Sequence, residues 1–349
     1  MKAVCFQAVE RVAVETVSDP APLRPTDAVV AVSMAGLCGS DLHPFFGREA
    51  GLDPGTVMGH EFVGRVVAAG AEVRGFAVGD RVCAPFTTSC GHCFYCANGL
   101  SARCEQGELF GWRSNGAGLH GGQAEFVRVP LADGTLVAVP DGVDDETALL
   151  LGDNLSTGYY CARLAAVEPG SIVAVVGCGT VGLLSVAWAR RFDAARIFAF
   201  DPVESRRALA DRLGAQTAAD EGALKAALLE ATAGRGADAV MEVVGLPDAQ
   251  RLAFELLRPG GTLASIGCHA EPRFAFGPGD AYDKNLVYRT GRCPARRLMP
   301  RLARELAQRP MDLDWCVTHR FDLADGVAAY DVFAGRRDGC VKAVLTNSG

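Results

Sequence analysis

The sequence lacks an excess of positive charge, a long apolar run and a recognisable signal peptide. Its 34 lysines and arginines are outnumbered by 41 aspartates and glutamates, which gives a formal net charge of -7 at pH 7. Nucleic-acid binding normally needs a positive field, so a nucleic-acid partner is not expected. No segment reaches the roughly 18 apolar residues of a membrane span, and Met1 leads into strand-like residues. We therefore expect a soluble cytoplasmic protein that binds neither nucleic acid nor membrane.

The sequence is also poor in charged residues, which make up only 21% of its 349 residues. Hydrophobic residues account for 49%, enough to bury two sizeable cores in a chain longer than a usual single domain. Because charge is low, the 41 glycines indicate tight turns and close backbone approaches rather than disorder. The composition predicts a compact α/β protein of two domains, and no internal repeat is present.

The order of the predicted elements divides the chain into a β-rich domain and an alternating α/β domain. Short strands separated by glycine and proline are predicted at 28–34, 62–68, 81–84 and 124–129. From residue 155 onwards strands and helices alternate, which predicts a parallel sheet covered by helices over residues 155–291. The alternation then loosens, so we expect residues 292–349 to return to the first domain, alongside residues 1–154.

A glycine motif lies between a predicted strand at 171–176 and a predicted helix. Gly177, Gly179 and Gly182 form a GxGxxG sequence. In a dinucleotide site the first glycine allows the tight turn, the second admits the pyrophosphate and the third lets the helix pack on the strand. Thr180 and Val181 would then place a helix N-terminus at the phosphates. By itself the motif is also compatible with an ordinary glycine-rich turn.

The next predicted strand ends at an acidic residue, and this favours the dinucleotide interpretation. Asp201 follows Gly182 by roughly 20 residues, the distance at which a carboxylate accepts hydrogen bonds from the adenosine ribose. A carboxylate there also repels a 2′-phosphate, so the sequence predicts NAD rather than NADP. Arg206 lies one turn into the following predicted helix, either against the adenine or on the surface.

Thirteen cysteines in a chain without a secretory signal favour metal binding or burial over disulfides. Four of them follow the spacing CxxCxxCx7C: Cys90, Cys93, Cys96 and Cys104. Four thiolates complete a tetrahedral shell with no open position, which is typical of a structural zinc. An iron–sulfur cluster uses four cysteines too, and reduced surface thiols are the remaining alternative.

A second set of metal-ligand types is dispersed along the first domain. It consists of Cys38, His60, Glu61 and Asp153. Catalytic zinc generally takes three protein ligands and keeps one position for water or substrate. Each of these residues alone is more often a core residue, so their assignment depends on the sequence around them.

That surrounding sequence resembles a known family. Residues 59–64 read GHEFVG, and Gly70 and Val73 complete the pattern GHExxGxxxxxGxxV. The pattern is similar to the signature of zinc-dependent medium-chain alcohol dehydrogenases, and the GDRV segment at 79–82, the four-cysteine loop and the GxGxxG follow in that family's order. The resemblance covers nearly the whole chain. It implies a GroES-like β-rich catalytic domain built from both chain ends, with a Rossmann doubly wound parallel sheet inserted.

Carried over position by position, the resemblance implies two zinc ions per chain. Cys38, His60 and Asp153 would bind the catalytic zinc, and Glu61 would be a conditional fourth ligand. The four clustered cysteines would hold the structural zinc. The segment LGDNLSTG at 151–158, the segment GRCP at 291–294 and the region around Trp112 resemble the secondary-alcohol branch. Unlike the microbial NADP enzymes of that branch, this chain has Asp201 and all four loop cysteines.

The resemblance also implies roles for polar residues beside the ligands. Ser40 would take the proton from the alcohol, and His43 would pass it on towards water. The alternatives are a loop hydroxyl bonded to backbone and an ordinary exposed histidine. Asp41 would orient neighbouring backbone only. Trp112 and Thr157 are expected to line the substrate pocket, although a tryptophan is more often core packing.

The expected function is therefore the interconversion of an alcohol, secondary by resemblance, and its ketone or aldehyde with NAD. Dehydrogenation of a polyol, an amino alcohol or an aldehyde adduct is the alternative within the family. A non-catalytic zinc and NADH sensor that binds another macromolecule is the alternative from a different class. Relatives pair their Rossmann domains, so a homotetramer, or otherwise a dimer, is expected.

Overall fold

The computed structural model of the chain describes residues 1–269 and 272–347. Its strands are β1 (Lys2–Ala8), β2 (Arg11–Thr16), β3 (Ala28–Gly36), β4 (Phe62–Ala69), β5 (Arg81–Cys83), β6 (Trp112–Ser114), β7 (Ala117–Leu119), β8 (Phe126–Val129), β9 (Val137–Ala138), β10 (Ile172–Val176), β11 (Arg196–Phe200), β12 (Gln216–Thr217), β13 (Ala237–Glu242), β14 (Leu257–Ser265), β15 (Val287–Thr290), β16 (Val317–Asp322) and β17 (Lys342–Thr346).

The α-helices are α1 (Leu42–Phe45), α2 (Phe94–Ala97), α3 (Ala132–Thr135), α4 (Asp145–Gly152), α5 (Asn154–Leu164), α6 (Thr180–Arg191), α7 (Glu204–Arg212), α8 (Glu221–Ala231), α9 (Pro247–Leu256), α10 (Pro278–Asp283), α11 (Ala295–Gln308) and α12 (Gly326–Ala334). Within the described part of the chain, no helix combines the length and the apolar character needed to cross a membrane.

The chain forms two compact units. The first comprises Met1–Ser156 and Pro294–Gly349, and the second comprises Thr157–Cys293. The boundaries expected from the sequence, after residues 154 and 291, lie two residues before the observed ones. The tail after residue 293 belongs to the same unit as the N-terminal half of the chain.

The second unit contains a six-stranded parallel sheet in the order β12-β11-β10-β13-β14-β15. The central strand β10 is an apolar run whose last four residues are buried, as expected of a strand covered on both faces. Helices α6 and α9 leave the neighbouring strands β10 and β13, so the strand order reverses between them. In open parallel sheets this reversal, at the carboxyl ends of the strands, is where dinucleotides bind.

The first unit is organised by a seven-stranded sheet in the order β16-β17-β3-β4-β5-β9, with β8 also paired to β3. One face packs on a cluster that includes Phe62, Phe110 and Leu136. Strands β3 and β4 are antiparallel partners, and Ala35 pairs with Phe62. The residues just after β3 and just before β4 therefore meet at one end of the sheet.

Candidate active site and cofactor site

Four side chains with metal-binding atoms meet at the end of the β3–β4 pair. Cys38 follows β3, His60 and Glu61 precede β4, and Asp153 follows α4. One ligand atom from each of the four lies within 4.8 Å of the others. His60 and Asp153 are each 8% exposed and Glu61 is fully buried, so the cluster is inside the unit. The structure thus brings together the dispersed residues that the sequence singled out.

The spacing of these donor atoms matches a tetrahedral zinc site. The Cys38 Sγ and Asp153 Oδ2 atoms are 3.3 Å apart, and His60 Nε2 lies 3.4 Å from the same oxygen. Zinc bonds of normal length place neighbouring tetrahedral donors roughly 3.3–3.6 Å apart. A thiolate, an imidazole and a carboxylate are also a donor set that zinc accepts. The residues present therefore fit zinc.

Asp41 orients two of these donors. One carboxylate oxygen lies 3.1 Å from His60 Nδ1, which leaves Nε2 facing Asp153. The other accepts a hydrogen bond from the backbone N–H of Cys38 at 2.9 Å. Burial opposes a charge on the ring, but Asp41, Asp153 and Cys38 together outweigh it and raise the pKa of His60. Such carboxylate–histidine pairs fix the ring orientation at metal sites, so Asp41 does more than the backbone contact expected from the sequence.

Asp153 is held in its ionised form. Burial by itself disfavours the charge, but the hydrogen bonds to His60 and Cys38 and the charges of His60 and Lys342 together prevail and lower the pKa of Asp153 to about 2. Asn154 donates from Nδ2 to Asp153 Oδ2 at 3.1 Å and to Glu61 Oε1 at 3.0 Å. The amide therefore links two carboxylates of the cluster.

Lys342, the first residue of β17, forms a fully buried ion pair with Glu61. Its Nζ also donates to Asn154 Oδ1 at 2.8 Å. Burial opposes a charge on the lysine, but Glu61, Cys38 and Asp153 together outweigh it and raise the pKa of Lys342. Gly36 allows the carboxylate to sit against β3, because a Cβ at this position would overlap Glu61 Oε2. Glu61 is thus tied to the C-terminal tail by a contact that sequence reasoning missed.

Of the other predicted residues of this region, Ser40 contacts the cluster. Ser40 is exposed, and its Oγ lies 3.2 Å from His60 Nε2. His43 lies in α1 and is half-buried, and burial lowers the pKa of its ring. Trp112 begins β6 and packs against the core cluster that contains Tyr330. Thr157 lies in α5, three residues after Asn154.

The four clustered cysteines form a second group of ligand atoms within 4.8 Å of one another. Cys93 Sγ and Cys104 Sγ are 3.9 Å apart, close to the roughly 3.8 Å edge of a tetrahedral zinc–thiolate site. Backbone N–H groups point at the sulfurs of Cys90 and Cys104. Hydrogen bonds from the backbone, first that of Cys96, lower the pKa of Cys93 to about 6. Burial raises the pKa of Cys96 to about 12 and also raises that of Cys104, so the stabilisation of a thiolate is confined to Cys93. The spacing of the sulfur atoms fits zinc.

The glycine motif of the second unit links β10 directly to α6. A Cβ at Gly182 would overlap the carbonyl oxygen of Gly177, so close packing of the helix requires glycine there. A Cβ at Gly179, in contrast, would meet only the Arg206 guanidinium, at 3.9 Å. This open space lies beside Thr180 and Val181, which begin the 12-residue helix α6. The loop therefore fits a bound pyrophosphate.

Asp201 lies directly after β11, beside this loop. Its Oδ2 accepts the backbone N–H of Cys178 at 2.9 Å, and its Oδ1 accepts that of Val203 at 2.9 Å. The Arg206 guanidinium is 3.7 Å from Asp201 Oδ2. Asp201 is only 4% exposed, and its carboxylate thus has a fixed position beside the glycine loop.

Comparison with known proteins identifies the family. A family model described as alcohol dehydrogenase GroES-like domain matches residues 24–141, and one described as zinc-binding dehydrogenase matches residues 180–308. Zinc-type alcohol dehydrogenase B of Aspergillus flavus is 42% identical over 342 residues, which cover 95% of this chain and 78% of that protein. The chain belongs to the zinc-dependent medium-chain alcohol dehydrogenase family.

Two further relatives of this dehydrogenase bear on its fold and cofactor. The solved structure of alcohol dehydrogenase TADH from Thermus sp. ATN1 is 35% identical, with a TM-score of 0.94 over 99% of this chain and 100% of that one. The NADP-dependent isopropanol dehydrogenase of Thermoanaerobacter brockii is 34% identical over 322 residues, which cover 88% of this chain and 88% of that protein. The predicted fold class, a GroES-like domain plus a Rossmann-type domain, is confirmed. The family is one of oxidoreductases that act on CH–OH groups with zinc and a nicotinamide cofactor.

Proposed function

We propose that this dehydrogenase uses NAD to interconvert a secondary alcohol and its ketone. The observation that carries the cofactor preference is the position of Asp201, fixed beside the glycine loop by two backbone hydrogen bonds. A buried carboxylate at the adenosine end disfavours the 2′-phosphate of NADP by charge repulsion and by the cost of desolvation. The secondary-alcohol preference is supported by the 151–158 and 291–294 segments and by the isopropanol dehydrogenase relative.

In this proposal Cys38, His60 and Asp153 hold the catalytic zinc, and the four-cysteine loop holds a structural one. Zinc supplies Lewis-acid polarisation of the substrate oxygen when it is bound. Asp41 keeps His60 Nε2 directed at the site, since the opposite ring nitrogen is occupied. Lys342 and Asn154 hold Glu61 in the buried network, so that Glu61 is a reserve ligand rather than a resting one.

Proton transfer is assigned to Ser40 and His43. Ser40 is an exposed residue whose hydroxyl lies 3.2 Å from His60 Nε2, and this hydroxyl accepts the proton of the alcohol as it gives up its own. His43 carries it onward, and its lowered pKa favours a neutral ring that can accept a proton near pH 7. Arg206 contacts the adenosine end of the cofactor. Trp112 and Thr157 contribute to the substrate pocket.

The cofactor preference is tested by comparing kcat/KM for NAD and NADP in the wild type and in Asp201→Ser. We expect the wild type to prefer NAD by at least about 100-fold, since the buried charge opposes the phosphate by about 3 kcal/mol. The variant should lose most of this preference, while Asp220→Asn, which alters a helix cap of the same unit, should keep it. A wild type that prefers NADP would contradict the assignment.

The substrate class is tested with a panel of primary alcohols, secondary alcohols, polyols and amino alcohols, with NADH formation as the readout. Secondary alcohols should give the highest kcat/KM. A polyol or amino alcohol at the top would replace the proposed class by another one within the family. A zinc-replete protein that binds NADH and turns over none of these compounds would instead support a sensor.

A further inference from the structure

A buried polar cluster lies at the carboxyl ends of β13 and β14 in the second unit, and no family motif named above includes it. Its members are Glu242, the last residue of β13, Ser265, the last residue of β14, and His269. Glu242 and Ser265 are direct register partners, and Val176 at the end of β10 is the partner of Glu242 on its other side. The cluster therefore shares one sheet edge with the glycine motif that follows Val176.

Glu242 ties the two loops at this edge together. Its Oε1 accepts the backbone N–H groups of Val244 at 2.8 Å and Gly245 at 2.7 Å. Its Oε2 accepts the Ser265 hydroxyl at 2.6 Å and lies 2.9 Å from His269 Nε2. Burial disfavours the charge, but the hydrogen bonds from His269, Ser265 and the two backbone N–H groups together outweigh it and lower the pKa of Glu242. A fully buried carboxylate with four partners fixes the geometry around it.

His269 is the one member of this cluster that reaches solvent. Its side chain is 22% exposed, whereas Glu242 and Ser265 are fully buried. Both of its contacts, to Glu242 and to Ser265 at 2.8 Å, use Nε2. Nδ1 makes no hydrogen bond within residues 1–269 and 272–347. Bonding to Glu242 raises the pKa of His269 and so favours a ring that carries a proton on Nδ1 as well.

The position of the cluster indicates which part of a dinucleotide it meets. The glycine loop after β10 and Asp201 after β11 occupy the adenosine half of the sheet. A dinucleotide crosses the point of strand reversal between β10 and β13, so its other half extends over β13 and β14. Glu242, Ser265 and His269 lie at the ends of those two strands.

We propose that His269 Nδ1 donates a hydrogen bond to an oxygen of the nicotinamide-ribose half of the cofactor, with Glu242 and Ser265 as the residues that position it. The inference rests on the dinucleotide binding contained in the proposed function. It adds one cofactor contact to that function. The acceptor is the carboxamide oxygen or a hydroxyl of the adjoining ribose, two neutral oxygens that the same donor recognises.

The test measures dissociation constants of NADH, ADP-ribose and ADP by calorimetry for wild type, His269→Leu and His269→Asn. In the leucine variant the dissociation constant of NADH should rise about tenfold, as expected for one lost hydrogen bond. The dissociation constant of ADP should stay within twofold of the wild-type value. Loss of ADP-ribose affinity as well assigns the bond to the ribose, and loss for NADH alone assigns it to the carboxamide. The asparagine variant, whose amide nitrogen replaces Nδ1, should recover part of the affinity. His319 lies in the first unit, and His319→Leu should leave all three dissociation constants unchanged.

Equal weakening of all three ligands in His269→Leu would show a merely structural role and overturn the proposal, as would unchanged NADH affinity. Failure of the proposed cofactor preference is distinguishable, because a wild type that favours NADPH is then tested with NADPH, 2′-phospho-ADP-ribose and 2′-phospho-ADP. Glu242→Gln provides a second variant. This variant should weaken the binding of NADH more than the binding of ADP, because the glutamine amide lacks the charge that holds the His269 imidazolium.

Discussion

The two groups of metal ligands in the first unit are built in opposite ways. Cys90 and Cys104, the outermost ligands of the cysteine loop, are 14 positions apart, and all four cysteines are partly exposed. In the other group 115 positions separate Cys38 from Asp153, and three of the four side chains are buried. The first group is a property of one loop. The second requires the folded sheet.

This difference is visible in what surrounds the ligands. In the cysteine loop, backbone N–H groups of neighbouring residues support the sulfurs. In the buried group, charged side chains from distant segments do so: Asp41 supports His60, and Lys342 supports Glu61. Local backbone can shape a closed structural site, but a site that keeps a position for substrate needs side chains that fix each ligand separately.

The largest effect on stability is expected from breaking the cysteine loop. Cys104→Ser should remove one zinc per chain and lower the free energy of unfolding by about 5 kcal/mol, because a closed zinc site contributes its binding energy to folding. Metal analysis and denaturant unfolding measure both quantities. The exposed Cys268→Ser is the matched control and should change neither. Complete loss of that zinc without a change in unfolding would show that the loop is not structural.

A smaller loss of stability is expected at the buried ion pair. Lys342→Met leaves the Glu61 carboxylate buried without its cation, which should cost about 3 kcal/mol. The double variant with Glu61→Gln should recover more than half of this loss, because the uncompensated charge is then gone. Lys225→Met removes a lysine that is 43% exposed from its pair with Glu255 and should cost less than about 1 kcal/mol. Equal losses of unfolding free energy in Lys342→Met and Lys225→Met would contradict a stabilising role of the buried Lys342–Glu61 ion pair.

The smallest effect is expected from Asp41→Asn, which keeps the shape of the side chain and removes its charge. Zinc affinity at the buried site should fall by about 10–100-fold, the usual effect of losing a carboxylate behind a ligand histidine. Competition with a chelator measures it. The cysteine loop should keep its zinc in the same experiment, so equal loss from both sites would refute a specific action of Asp41 on His60.

Sequence reasoning reaches furthest where the pattern lies in residues close in sequence. The cysteine loop, the glycine motif and the alternating pattern of the second unit were predicted from residues close in sequence, and the predicted fold class is confirmed. Assignment of the dispersed ligands needed the resemblance around His60. The structure brings those ligands together, while their roles remain predictions.

The residues that support the two sites could not be predicted from the sequence, because their partners are distant in sequence. Lys342 and Glu61 are 281 positions apart, and nothing near either residue indicates the other. The one available signal was a lysine at the start of the mostly apolar final strand. Glu242 and His269 are closer, 27 positions apart, but their contact depends on the register of β13 against β14, which the alternating pattern does not specify.

The most direct test of the buried catalytic zinc site is the zinc content and alcohol-dependent NADH formation of Cys38→Ser, measured on the same preparation. We expect the wild type to hold two zinc ions per chain and the variant to keep the one in the cysteine loop. Turnover should fall by at least about 1000-fold, the effect of losing several kcal/mol of Lewis-acid stabilisation, while NADH affinity and unfolding stay near the wild-type values. A variant that keeps normal turnover would show that the buried group of Cys38, His60 and Asp153 is not the catalytic metal site.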